Sequence, residues 1–310
     1  MIPIMKPSLS GNELEYVTDC VKSEWISSQG KYVTKFEQLT SEYINADYVL
    51  AVSNGTVALH LALVSFGIGK GDEVIVPDMT FAASVNAVLH ANATPVLVDV
   101  DRSTFNISVE AIRAAITKNT KAIMPVHLYG NPCDMDEINK IAKEHNLIVI
   151  EDAAEAFGSI YKGEKVGALS DASIFSFYGN KTITTGEGGI LVFKDKDVYE
   201  KAAVLRDHGM QKDNRYWHNY VGYNYRMTNL QAAIGVAQME RIEQIIEGKI
   251  KIANQYKKGL SNIEEISIPV VDSENSVNTY WLFTFLLDNK IERADFIEYL
   301  RIKNIETRPT

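Results

Sequence analysis

The feature that most constrains this chain is a set of short apolar runs that do not alternate with polar residues. Residues 48–52, 73–76, 95–98, 122–126, 147–150, 173–177 and 190–193 are rich in β-branched side chains, and helical patterns separate them. A strand with one wetted face alternates, whereas a strand that is apolar throughout has both faces covered. The seven runs therefore predict an α/β fold with a mostly parallel, seven-stranded central sheet between layers of helices. With 310 residues the chain is too long for one small core, so a large domain and a smaller one are expected.

Capping signals place several of the helices. Ser10-Gly11-Asn12-Glu13 has the form of a capping box before Leu14, Val17 and Val21 on one helical face. Asp134 with Glu137 opens a second helix, whose stripe is Met135, Ile138 and Ile141. Thr228 with Gln231 opens a pattern running from about 229 toward 258, expected as one long helix linking two domains, although Gly235 and Gly248 weaken it. Beyond it the texture changes to a strand-like apolar run at 280–287 and a charged helical pattern at 292–303. The expected division is a large domain at 1–240, its N-terminal segment packing toward the small one, and a smaller α+β domain at 241–310 that is incomplete at Thr310.

Charge and cysteine usage exclude several classes. A formal net charge of -9 leaves no basic face for a phosphate backbone, so no nucleic acid partner is expected. Cys20 and Cys133 show neither CxxC nor Cys/His spacing, which argues against a disulfide framework or a zinc site and fits a reducing cytoplasm. Pro3 and Pro7 interrupt the start of the chain where a targeting sequence needs apolar continuity. The apolar window at 51–66 contains Ser53, Asn54, Gly55 and His60, so no membrane span is expected.

Three polar clusters fall at the ends of the expected strands, where open α/β sheets bind ligands. Ser53-Asn54-Gly55-Thr56 precedes an apolar helix, and its backbone N–H groups suit an anion, although on this motif alone an ordinary N-cap by Thr56 is the plainer reading. Glu151-Asp152-Ala153-Ala154-Glu155 follows a buried strand and offers a metal ligand, a partner for a bound cation or a simple cap. In Ser176-Phe177-Tyr178-Gly179-Asn180-Lys181-Thr182, continuing to Gly188-Gly189, one lysine stands among glycines and hydroxyls with no basic neighbour. That setting suits an amine that attacks a carbonyl, although a lone lysine in a loop is usually a solvated surface charge and the glycines alone would also suit a hairpin turn. His127 reads best as a satisfied structural histidine. Gly67-Ile68-Gly69-Lys70-Gly71 follows a helix and precedes a strand, the reverse of a dinucleotide-binding turn, so it is a helix stop.

Taken in order, a phosphate-type turn, a strand-end aspartate and a lysine near another strand end are the parts of a fold-type-I pyridoxal-phosphate (PLP) enzyme. With Trp25-Ile26-Ser27-Ser28-Gln29-Gly30, Pro125-Val126-His127-Leu128-Tyr129-Gly130, EDAAEAFGS from Glu151, SFYGNKTITTGEGG from Ser176 and Gly222-Tyr223-Asn224-Tyr225-Arg226, the chain resembles the DegT/DnrJ/EryC1/StrS sugar aminotransferases. The resemblance implies an aspartate aminotransferase-like fold in which Lys181 carries PLP as a Schiff base and Asp152 pairs with the pyridine nitrogen. Gly55, Thr56 and Ser176 then fall at the cofactor phosphate, and Phe81 stacks on the ring where many relatives have tryptophan. Asn224 reaches the phosphate of the neighbouring subunit, so a homodimer with shared active sites is implied. Glu155 stands where many relatives have histidine or glutamine, and is either a contact to cofactor or substrate or a helix-start carboxylate. The implied reaction moves an amino group from L-glutamate, through pyridoxamine phosphate, to a nucleotide-linked 4-keto-6-deoxy sugar. GDP-4-keto-6-deoxymannose leads, and UDP- and dTDP-linked sugars stay open. Related 3-dehydratases carry histidine in place of the lysine, so Lys181 favours amino transfer.

Overall fold

The computed structural model describes residues 1–211, 213–271 and 274–309, so Thr310 lies outside it. Strands β1 (Tyr48–Val52), β2 (Glu73–Pro77), β3 (Thr94–Val98), β4 (Thr120–Ile123) and β5 (Ile148–Asp152) come first. After a short hairpin, β6 (Ile160–Tyr161) and β7 (Glu164–Lys165), come β8 (Ala172–Ser176) and β9 (Gly189–Phe193). The central sheet has seven strands in the order β1-β9-β8-β5-β4-β2-β3. Pairing is parallel from β3 through β2, β4 and β5 to β8, while β9 runs against both β8 and β1. The sheet is thus mostly parallel, as the non-alternating runs predict. β1 and β8 end at the same edge as β2 and β5, which gathers the three polar clusters there.

Helices α1 (Glu13–Lys22), α2 (Lys31–Ile44), α3 (Gly55–Ser65), α4 (Ala82–His90), α5 (Val109–Ala115), α6 (Met135–His145), α7 (Lys196–Arg206) and α8 (Asn229–Met239) cover both faces. On one face Leu59, Leu63, Val88 and Leu205, from α3, α4 and α7, pack on Val52, Val76, Ile150 and Ile174. On the other, Cys20, Phe36 and Val236 from α1, α2 and α8 pack on Val49, Phe175 and Ile190, while Ile112 and Ile138 from α5 and α6 pack on Ile75 and Val149. The alternate residues of each strand supply the two cores, which is why the sequence runs apolar without a break.

The pattern expected as one helix is two. α8 ends at Met239 and α9 (Ile242–Leu260) begins after Arg241, whose φ of -124° leaves the helical region. Their surroundings account for the break: α8 is enclosed nearly all round between α1 and α2, whereas α9 buries only a stripe of Ile242, Ile246 and Ala253. Gly235 belongs to that enclosure, because a Cβ there would lie 2.8 Å from the Phe36 ring.

Two further expectations give way. Ser10 does not cap α1. Glu13 is turned inward, taking Gly11 N–H at 2.8 Å and the Gln238 amide at 2.6 Å, and Asn12 stands at the N-cap without capping the helix, its side-chain amide donating instead to Glu240 at 2.8 Å. The run at 280–287 contributes only β12 (Leu286–Leu287), paired with β10 (Ile266–Ser267), while β11 (Ser276–Val277) joins β6. Tyr280 has φ of 49°, which bends the backbone out of strand geometry and turns Trp281 toward the central sheet. The Asp134 and Thr228 caps form as expected, and α10 (Arg293–Ile302) follows Glu292.

Candidate active site

The turn after β1 is held by Asn54, not Thr56: its Oδ1 accepts from Val57 N–H at 3.0 Å and caps α3. The N–H groups of Gly55 and Thr56 consequently have no acceptor among the described residues. Ser176, at the end of β8, lies against this turn, since a Cβ on Gly55 would come 3.4 Å from its Oγ. Gly189, opposite Ser176 in the register, allows the approach, because a Cβ there would strike the Asn54 carbonyl at 2.7 Å. Two free N–H donors at a helix N-terminus beside a hydroxyl form a cradle for a phosphate.

Strand alternation separates the carboxylates that end β5. Glu151 points into the α5–α6 side and is fully satisfied, accepting from Gly167 N–H at 3.1 Å, Leu169 N–H at 3.2 Å, Ser170 Oγ at 2.7 Å and His127 Nε2 at 3.0 Å. Cys133 N–H donates to His127 Nδ1 at 3.0 Å, which places the imidazole proton on Nε2. Glu151 and His127 are therefore structural, as read for His127 from sequence.

Asp152 points to the opposite face, where Ser84 Oγ on α4 donates to Oδ2 at 2.7 Å and Ala154 N–H to Oδ1 at 3.2 Å. Burial raises its carboxyl above the ordinary range, and the Ser84 bond and the Lys181 charge oppose that shift. Phe81 stands at the N-cap of α4 and is 75% exposed.

Between β8 and β9 the chain makes a long hairpin rather than a flexible loop. Thr185 N–H and Thr184 Oγ1 both donate to the Phe177 carbonyl, at 2.9 and 3.0 Å, and Phe177 N–H donates to Gly188. This fixed turn presents Lys181, whose side chain is 13% exposed. Nζ lies 3.4 Å from Glu155 Oε1 and 3.8 Å from the centroid of Trp281. Asn180 Oδ1 and Thr182 Oγ1, on either side of it, are buried with no hydrogen-bond partner among the described residues.

No helix begins at Glu155; its Oε2 accepts from Tyr129 N–H at 2.8 Å, and burial raises its carboxyl despite the neighbouring lysine. Tyr129 in turn stacks on Trp281 with the ring planes 15° apart, and the indole N–H donates to the Asn180 carbonyl at 2.6 Å. The structure thus brings Lys181, Asp152 and Glu155 together, with Gly55, Thr56 and Ser176 at the adjoining turn. Asn224 is not part of that cluster within one chain: its Oδ1 accepts from Arg226, and it makes no bond to Gly55, Thr56 or Ser176 among the described residues.

Trp281 and Ser84 were not singled out by the sequence. A serine four residues after Thr80 carries no signal until α4 faces β5, and Trp281 sits in a run that reads as strand.

The chain matches the model of the DegT/DnrJ/EryC1/StrS aminotransferase family over residues 7–310 and belongs to that family. It is accordingly a PLP-dependent sugar aminotransferase of the fold-type-I class. A GDP-perosamine synthase of Escherichia coli O157:H7 is 51% identical over 308 residues, which cover 99% of this chain and 84% of that one. DesV of S. venezuelae, solved with a ketimine intermediate, superposes with a TM-score of 0.90 at 33% identity, covering 95% of this chain and 78% of that one. Spr1654 of Streptococcus pneumoniae, solved in its PLP form, superposes with a TM-score of 0.93 at 29% identity, covering 98% and 83%. Among the described residues no helix is long and apolar enough to cross a membrane.

Proposed function

We propose that the chain aminates a GDP-linked 4-keto-6-deoxy sugar, GDP-4-keto-6-deoxymannose, to the 4-amino sugar GDP-perosamine, with L-glutamate as donor. The reading is carried by one observation: the largely buried Lys181 amine set beside Glu155, with Asp152 ending β5 nearby. Similarity to the E. coli GDP-perosamine synthase supports the choice of sugar. PLP, when bound, supplies a conjugated electron sink and would carry the amino group between donor and acceptor.

The residues fit that group. The N–H groups of Gly55 and Thr56, unpaired among the described residues, would hold its phosphate with the Ser176 hydroxyl, and Asp152 would keep a proton on its ring nitrogen. A cationic partner offsets the burial that otherwise raises the Asp152 carboxyl. Phe81, at the mouth of α4, would cover the ring. Lys181 would bind the cofactor through Nζ and then, once displaced, carry a proton between the donor's α-carbon and the cofactor, and run the same transfer in reverse with the sugar. Glu155 holds that amine in place while its second oxygen fixes Tyr129.

Asn224 would act toward the partner subunit in a homodimer. Exposed Tyr216, Trp217, Tyr220 and Val221, in the segment leading to it, support a partner surface there. Two buried free cysteines fit a reducing cytoplasm, and residues 241–310 are taken as part of a smaller domain closing over the sheet edge.

The test is direct. Lys181→Ala and Lys181→Arg should each abolish amination, and the wild-type enzyme, offered glutamate with GDP-, UDP- and dTDP-linked 4-keto-6-deoxy sugars, should yield by mass only the aminated GDP product. Amination of UDP- or dTDP-sugar alone would replace the sugar and keep the reaction, whereas turnover by either lysine variant would remove the role of Lys181.

A further inference from the structure

Lys249, in α9, is a partly buried lysine that the proposed chemistry does not use. Its Nζ donates to the Trp281 carbonyl at 3.2 Å and lies 3.8 Å from Met5 Sδ. Among the described residues no carboxylate forms an ion pair with it, and burial lowers its ammonium to about 8. An apolar side chain of similar length would fill that ground with less desolvation. Stability therefore does not account for an amine there, but what it grips does.

Trp281 is bound at both ends. Its carbonyl is held by Lys249, and its indole N–H is given to the carbonyl of Asn180, the residue before Lys181. The face of the same indole lies under Lys181 Nζ, and Tyr129, stacked on it, holds Glu155 through its backbone N–H. The ring of contacts closes on Lys181: Trp281 and Glu155 both touch the amine, and Tyr129 joins the two. Lys249 is the point at which α9 and the N-terminal segment, through Met5, are tied to that ring.

We propose that Lys249 is a positioning residue for amino transfer, fixing the Trp281 backbone so that the indole sets the place of the Lys181 amine. The inference rests on Lys181 carrying the reaction. Lys249 does not touch the reacting atoms; it acts through Trp281. A small displacement of a group that orients a reacting amine lowers the rate without weakening the binding of distant parts of the substrate.

The experiment uses the full chain with Trp281 as its single tryptophan, the other two being Trp25→Phe and Trp217→Phe, and compares Lys249 with Lys249→Met and Lys249→Gln. Lys249→Met should melt no earlier than its parent, lower kcat by roughly tenfold with KM for glutamate little changed, and shift Trp281 emission to the red with readier acrylamide quenching. Lys249→Gln, which keeps a donor for the carbonyl, should recover much of kcat and of the emission. An unmoved Trp281 emission in Lys249→Met, a kcat within about threefold of the parent, or a Lys249→Gln enzyme as impaired as the methionine variant would each overturn the proposal. A Lys249→Met chain that does not fold would overturn it as well, because the amine would then be needed for stability. Failure of the Lys181 reading shows separately, as turnover by Lys181→Ala, and leaves the emission results untouched.

Discussion

At the scale of single residues, the two carboxylates that end β5 show how much one position matters. Glu151 and Asp152 are adjacent, yet the period-two alternation of a strand sends one into four hydrogen bonds on the far face and the other to Ser84 beside Lys181. Asp152→Asn keeps the shape and the acceptor for Ser84 while removing the charge. Amino transfer should fall by about 10²-fold or more, the scale on which a charge that stabilises a reacting group acts, while the melting temperature holds or rises because a buried ionisable group is gone. Steady-state kinetics with a thermal melt checks this, and a variant within a few fold of wild-type activity would detach Asp152 from the chemistry.

At the scale of elements, what could be read in advance follows from how local each cause is. The sheet was legible because burial on both faces writes itself into every strand. The Thr228 and Asp134 caps were legible because a cap is a bond between near neighbours. The break between α8 and α9 was not, since it reflects which partners enclose each half, and neither were Trp281 and Lys249, whose roles come from a backbone bend at Tyr280 and a packing between distant segments. The turn at α3 lies between these cases: a helix start at this turn was readable, but the cap passed from Thr56 to Asn54, which leaves Thr56 N–H without an acceptor among the described residues. Asn54→Ala should therefore cost about 1 kcal/mol of stability, read by denaturant unfolding, and should also loosen cofactor binding measured by absorbance titration, because the helix start that presents those donors frays. A stability unchanged within error would mean that another group caps the helix.

Across the whole molecule, the site is assembled from the sheet edge, the β8–β9 hairpin and the segments around α9, and Lys249 joins the last of these to the rest. Its titration makes that union sensitive to pH in a definite direction. In the unfolded chain a lysine holds its proton up to about 10.5, whereas in the fold burial lowers Lys249 to about 8. Between these values the unfolded chain binds more protons, so stability rises with pH; the contribution is present above about 10.5 and lost as pH falls through about 8. Wild type minus Lys249→Met, measured by urea unfolding at steps from pH 7 to 10.5, isolates this group from the other lysines and tyrosines. The difference should move in favour of wild type as pH rises across that window. A flat difference would show that the Lys249 amine titrates in the fold as it does in the unfolded chain, and that its burial does not weigh on the union it makes with Trp281.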